Sequence, residues 1–255
     1  MANEIDLNIG TFDLDSTNGV SIEDIAVQVS KTVQEYALPK YHGSIIPIGK
    51  RKSMSIRLRG SVTSTNYDAL RTLLDSLKNA FDDTAEKKFT IDDDRQVFVQ
   101  YKTFSHSWKA LRTFANFSVE LVASNPYWLS QTLNSDSAIR TTGVAFQVTN
   151  AGNAPARAKV TITAGAGGIV ANDIRLENET TAEVFQYNAA IAAAGVLVVN
   201  NKVDTNDLLV TVNGVNTYPD FEGDFITLNP GVNNLVLDSI AVAATTKIEW
   251  RDTYK

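Results

Sequence analysis

The chain contains no cysteine and only two histidines among its 255 residues. Without cysteine it can form neither disulfides nor thiolate metal sites. Neither His42 nor His106 stands in a nucleophile or metalloprotease motif. We therefore predict no catalytic residue, no metal site and no cofactor, and expect that the protein is not an enzyme.

The sequence also lacks a long apolar run and an excess of positive charge. Its longest apolar stretch, residues 189–199, holds 11 residues, whereas a membrane-spanning helix needs about 20. The net charge is −6, which gives little electrostatic support for binding nucleic acid. We therefore expect neither a membrane segment nor a nucleic-acid partner.

The composition, with 44% hydrophobic and 20% charged residues, is typical of a globular protein. The distribution of charge divides the chain into two parts. Residues 1–130 carry 15 Lys and Arg against 16 Asp and Glu, whereas residues 131–255 carry 8 against 13. This change in charge content comes shortly after a strand-like alternation of apolar and polar residues that ends at Ala123. We predict domains at 1–130 and 131–255, joined by a hinge whose residues are Asn125, Pro126, Tyr127 and Trp128.

The first domain is predicted to hold one helix among several strands. Leucines and Phe81 recur at helical spacing from Leu70 onward, which predicts a helix over about 66–81. Thr65 begins a pattern similar to a capping box, with Asp68 in the place of Glu. Alternation predicts strands over 53–62 and 113–124, a hairpin over 89–101 and a further strand near 102–107.

Between the early strands lies an apolar segment, residues 36–50, that two prolines and two glycines interrupt. It is too apolar for an ordinary solvated loop. One interpretation is a long loop that folds back on its own core, and the other is an extended arm buried by a second subunit. In the second case the interface residues would be Tyr36, Leu38, Tyr41, Ile45, Ile46 and Ile48.

The second domain reads as short strands separated by turns, the spacing of an all-β sandwich. Asn213-Gly214 suits a type I′ hairpin turn, and a Pro230-Gly231 turn separates two further strands. Aromatic side chains on a sandwich are either core packing or a platform for a sugar ring. We name three candidates for a sugar contact, which are Tyr218, Phe221 and Trp250.

The ordered set of these motifs resembles one family, the distal tail proteins of long-tailed, non-contractile (siphovirus-type) bacteriophages. The first domain carries the resemblance in residues 49–60, in the helix, in residues 93–99 and in the strand that ends in residues 125–128. The second carries it in residues 148–155, 223–235 and 248–250. Together these segments extend over nearly all of the chain.

The resemblance implies a mainly β fold, with a tail-tube-like split β-barrel carrying one helix, followed by a galectin-like or carbohydrate-module-like β-sandwich. It also implies a structural hub at the phage tail tip or baseplate in the virion. The first domains would form a homo-hexameric ring in which the arm laps the next subunit. The partners would be the tail-tube protein, a tail-associated protein and, on the outward sandwich, a receptor-binding protein.

Another class of function remains open at this stage. The protein could be a carbohydrate-binding virion module whose second domain recognises host cell-wall sugars. A glycan array on that domain would separate the two functions.

Overall fold

A computed structural model of the chain describes residues 7–14, 19–31, 36–37, 44–45, 51–82, 85–91, 94–108, 113–201, 208–239 and 244–255. These residues are mainly in antiparallel β-strands, which confirms the predicted fold class. The chain divides into two compact units, Met1–Trp128 and Leu129–Lys255. Each unit has its own hydrophobic core.

The first unit contains short strands near its start and four long ones that form most of its sheet. Its described strands are β1 (Leu7–Ile9), β2 (Phe12–Asp13), β3 (Val20–Lys31), β4 (Tyr36–Ala37), β5 (Ser44–Ile45), β6 (Arg51–Thr63), β7 (Lys87–Ile91), β8 (Arg95–Trp108) and β9 (Phe114–Ala123). All but β4 and β5 join one sheet in the order β2-β1-β7-β8-β9-β6-β3. Closure of this sheet into a split barrel stays a prediction.

Alternation places one face of β6 and β9 in the core. Met54, Ile56 and Leu58 of β6 are buried, while Arg57 and Arg59, which alternate with them, are exposed. Strand β9 alternates in the same way throughout its length. This period of two is the sequence signal that predicted both strands.

Helix α1 (Tyr67–Phe81) closes this core with the apolar stripe that the sequence predicted. Leu70, Leu74, Leu77 and Phe81 are all buried, and they lie three or four residues apart along one side of the helix. The predicted cap was wrong by one position, because Asn66 and not Thr65 is the N-cap. The Oδ1 of Asn66 accepts a hydrogen bond from the backbone N–H of Ala69 at 2.9 Å.

The cap gives a simple test of the helix boundary. Asn66→Ala removes the acceptor for an otherwise unsatisfied N–H and is expected to destabilise the protein by about 1 kcal/mol. Asn79→Ala changes the same residue type at an exposed position inside the helix, where alanine is the better helix former. Urea unfolding followed by circular dichroism measures both. Equal stabilities of the two variants would contradict the assignment of the cap.

The predicted separate strand at 102–107 was also wrong, since β8 continues unbroken through Tyr101 to Trp108. Its pairing with β9 shifts register between Tyr101 and Thr103, which marks a β-bulge. Lys102 and Thr103 are consequently both exposed. The bulge interrupts the alternation, so one strand looks like two in the sequence.

The second unit consists of short strands, all but two of which (β10 and β23) lie in two sheets. Its strands are β10 (Trp128–Ser130, at the boundary), β11 (Asn134–Ile139), β12 (Ala145–Asn150), β13 (Ala156–Thr163), β14 (Ile174–Asn178), β15 (Glu183–Tyr187), β16 (Val196–Asn201), β17 (Leu208–Val212), β18 (Val215–Asn216), β19 (Phe221–Gly223), β20 (Thr227–Leu228), β21 (Gly231–Ser239), β22 (Thr245–Trp250) and β23 (Thr253–Tyr254). One sheet has the order β11-β22-β13-β16-β17-β18 and the other β12-β21-β14-β15-β19. Buried side chains from both sheets form one core, the arrangement of a β-sandwich.

The two turns predicted in this unit, at Asn213-Gly214 and Pro230-Gly231, connect their flanking strands in different ways. Asn213 and Gly214 have φ of 51° and 80° between the paired strands β17 and β18, which confirms the predicted hairpin. At Pro230-Gly231 the flanking strands do not pair with each other. Strand β20 pairs with β13, whereas β21 pairs with β12 and β14, so this turn carries the chain from one sheet to the other.

Buried asparagines fix that crossing segment. The Nδ2 of Asn150 donates to the carbonyl oxygens of Ala154 at 2.8 Å and Leu228 at 3.1 Å, while its Oδ1 accepts from the N–H of Gly152 at 3.0 Å. The Nδ2 of Asn178 donates to the carbonyl of Thr227 at 2.7 Å. The two amides therefore tie the carbonyl groups of β20, just before the turn, to the strands that carry the asparagines.

Candidate interaction surfaces

Strand β3 ends the sheet of the first unit and presents an exposed edge. After Ile25 every residue up to Lys31 is exposed, and Val27 and Val29 are 43% and 38% exposed. A long edge strand with exposed aliphatic side chains is a surface that soluble proteins ordinarily protect. This edge is therefore a candidate for pairing or packing with another chain.

The predicted interface residues of the arm fall in the segment that follows β3. Tyr36 of β4 pairs with Ile45 of β5 in a short antiparallel ladder. The side chains of these two residues, and the whole of Leu38, Tyr41, Ile46 and Ile48, lie outside the described residues. Their role at a subunit interface stays a prediction.

The predicted hinge residues are half-buried in the structure. The ring of Trp128 packs against the first unit's core, with its centroid 6.4 Å from that of Phe89. The guanidinium of Arg51 lies 5.0 Å from the ring centroid of Tyr127. Asn125 and Pro126 form the bend between β9 and these aromatic residues. Their action as a hinge stays a prediction.

Of the three candidate sugar contacts, the structure brings two together and leaves the third elsewhere. The rings of Tyr218 and Phe221 have centroids 6.0 Å apart, and Phe225 lies 4.8 Å from Phe221. Phe221 and Phe225 pack against the core. Trp250 is buried in β22, and its indole N–H donates to the carboxylate of Asp252 at 3.3 Å. The cluster therefore extends the core, and sugar binding stays a prediction.

One further surface was not predicted from the sequence. We call it the aromatic patch and define it as Tyr67, His106 and Trp108. The ring of Trp108 lies 5.5 Å from that of Tyr67 and meets His106 edge-on at 5.4 Å. Tyr67 and Trp108 are 41% and 42% exposed. The available signal was the spacing of Phe104, His106 and Trp108, which places all three on one face of β8.

An open groove of about 420 Å³ lies on the same sheet. Its lining combines apolar surface with hydroxyl and amide groups on β8 and β9 and one residue of each charge. The lining residues are Glu23, Arg59, Gly60, Ser105, His106, Ser107, Asn116, Phe117 and Ser118. Such a surface offers hydrogen bonds to a polar partner.

Two glutamates on the sheets, Glu120 and Glu249, form ion pairs with lysines. A hydrogen bond from Lys102 at 2.8 Å lowers the pKa of Glu120 below its ordinary value. Burial raises the pKa of Glu249, but a hydrogen bond from Lys247 and the charge of Lys159 outweigh it, and the net shift is downward. Both carboxyl groups are therefore ionised at neutral pH, a state suited to ion pairing and not to a general acid.

Within the described ranges, no group of three or more metal-ligating side chains could hold an ion. No helix in this part of the chain is both long and apolar enough to cross a bilayer.

Comparison with known proteins finds similarity to components of phage tails. Residues 151–254 match the family model described as siphovirus-type tail component, C-terminal domain. The sequence similarity to that family therefore lies in the second unit. No curated protein matches the chain by sequence.

Over nearly its whole length the chain is similar to the Dit (gp 19.1) protein of phage SPP1. The two folds superpose with a TM-score of 0.76 at 12% sequence identity, over 99% of this chain and 100% of that one. That protein is described as a paradigm of the hub adsorption apparatus in phages that infect Gram-positive bacteria. The predicted resemblance to distal tail proteins is confirmed.

Two structures of the phage P2 baseplate in its activated conformation contain a further similar chain. The structure with Ca gives a TM-score of 0.55 at 9% identity over 96% of this chain and 98% of that chain. The structure with Sr gives 0.56 at 10% identity over 97% and 98%. At these identities the likeness establishes a common fold.

Proposed function

We propose that this protein is the hub of a siphovirus-type tail tip, a homo-hexameric ring in the virion that joins the tail tube to the proteins below it. The observation that carries the proposal is the similarity of the entire chain to the SPP1 hub protein. The tail-tube protein and a tail-associated protein would bind the ring. A receptor-binding protein would dock on the second unit.

The exposed surfaces of the first unit support a ring. A ring needs a heterologous interface, in which one surface of each subunit contacts a different surface of the next. Among the described strands none pairs with the outer edge of β3, which supplies a surface of suitable length. No catalytic arrangement is needed for such a role, which agrees with the family's structural character.

The mass of the purified protein in solution tests this function. We expect six copies of the 27.8 kDa chain by light scattering and native mass spectrometry, and rings with a central hole in negative-stain images. A protein that stays monomeric at concentrations up to the millimolar range would contradict the proposal.

A further inference from the structure

The exposed large hydrophobic side chains of the first unit fall into two separate groups. Among the described residues of that unit, they are Val27 and Val29 on β3, and Tyr67 and Trp108 in the aromatic patch. The first group lies on the strand that leads into the arm. A head-to-tail ring needs two different surfaces of this kind on every subunit.

Strand register shows that the two groups lie at opposite corners of the sheet. Trp108 pairs with Ala115, which pairs with Val62, whereas Val27 pairs with Ile56. Six residues of β6 separate Val62 from Ile56, a distance of about 20 Å along the strand. Three strand spacings separate β8 from β3, about 14 Å across the sheet. The groups therefore cannot act as one surface of a single subunit.

The aromatic patch is held in place before any partner binds. The Asn66 cap fixes the first turn of α1, where Tyr67 stands. His106 supports Trp108 from the side through their edge-on contact. Because these rings are already ordered, burying them costs little additional side-chain entropy.

We propose that the aromatic patch is the surface that receives the β3 edge and the arm, residues 36–50, of a second copy. This inference rests on the proposed ring and names the residues that accept the neighbour. The arm sequence is rich in isoleucine and tyrosine, which suits flat aromatic side chains. The strand ends that flank the arm carry positive charge at Lys31 of β3 and at Arg51 and Lys52 of β6, while Asp68 lies next to Tyr67, so Asp68 can supply an opposite charge to the neighbour.

Substitutions in the patch test the proposal. Trp108→Asp places a charge at the centre of the surface, and we expect it to weaken assembly at least about tenfold, as loss of a central aromatic anchor does. Tyr67→Ser removes the second ring and is expected to act in the same direction. Val215→Asp is the matched control, because Val215 is 67% exposed in the second unit, and its assembly should equal that of the wild type.

The wild-type mass is measured first, by light scattering over a range of dilutions, with thermal unfolding as a check on folding. A wild-type monomer contradicts the ring itself. A wild-type hexamer together with unchanged assembly of a folded Trp108→Asp protein overturns the role of the patch and leaves the ring standing. If Trp108→Asp fails to fold, Tyr67→Ser decides by the same criterion.

Cross-linking identifies what covers the patch. Because the chain has no cysteine, a Val29→Cys, Asp68→Cys double variant carries only the two introduced thiols. A short bismaleimide should produce a ladder of linked subunits that reaches six. A Val29→Cys, Val215→Cys variant should produce no such ladder. Absence of the ladder from an assembled first variant overturns the assignment of the occupant.

Discussion

Deletion of residues 39–49 is expected to convert the assembled protein into a folded monomer. The segment is too apolar for free solvent, and in the proposed ring its side chains are covered by the neighbouring subunit. The first unit's described core is built from the sheet and α1, so the monomer should keep its fold. Light scattering measures the mass, and circular dichroism verifies that the strands remain.

A length-preserving variant controls for the shortened connection between β3 and β6. Replacing Ile45, Ile46 and Ile48 together by threonine keeps the chain length and the β-propensity but removes apolar surface. It should weaken assembly in the same direction as the deletion. A hexamer that survives the deletion would show that the arm folds back on its own subunit, the other interpretation of its sequence.

Asn150→Ala is expected to destabilise the second unit by about 3 kcal/mol, which is the largest effect on stability that we predict. Asn150 is fully buried, and its amide makes three hydrogen bonds to backbone groups. Each such bond contributes about 1 kcal/mol, and buried groups left without a partner add a desolvation penalty. For a unit of this size the melting temperature should fall by about 10 °C.

The matched control is Gln147→Ala, three residues earlier on the same strand. Gln147 also has a side-chain amide, whose Nε2 donates to the Oδ1 of Asn234 at 3.1 Å, but the bond is exposed. Its loss should change stability by less than about 0.5 kcal/mol. Thermal unfolding by calorimetry compares the two variants, and similar losses would mean that burial of the Asn150 amide has no special importance.

Sequence periodicity predicted those parts of the fold where a single local rule decides the structure. The stripe from Leu70 to Phe81 specifies a helix because only one face is apolar. Asn213-Gly214 specifies a tight turn because both residues tolerate positive φ. Alternation predicted β9 along its whole length and β6 over residues 54–59, because one face of each strand is buried there.

Prediction failed where contacts with residues distant in the sequence determine the structure. Nothing near Pro230 in the sequence shows that the chain changes sheets there, since the Asn150 and Asn178 amides that hold the crossing come from distant strands. The burial of Trp250 likewise depends on β22 being an interior strand of its sheet. The aromatic patch was not predicted because Tyr67 and Trp108 are distant in the sequence and come into contact only in the folded structure.

The position of β22 in its sheet has a consequence for synthesis of the protein. This strand, Thr245–Trp250, pairs with β11 on one side and β13 on the other. On the ribosome, β11 and β13 are therefore made more than eighty residues before the strand that joins them. The seven strands in the order β2-β1-β7-β8-β9-β6-β3 have all been made once β9 has emerged. We therefore expect folding to begin in the first unit, whereas the sheet that contains β22 can be completed only when translation is nearly finished.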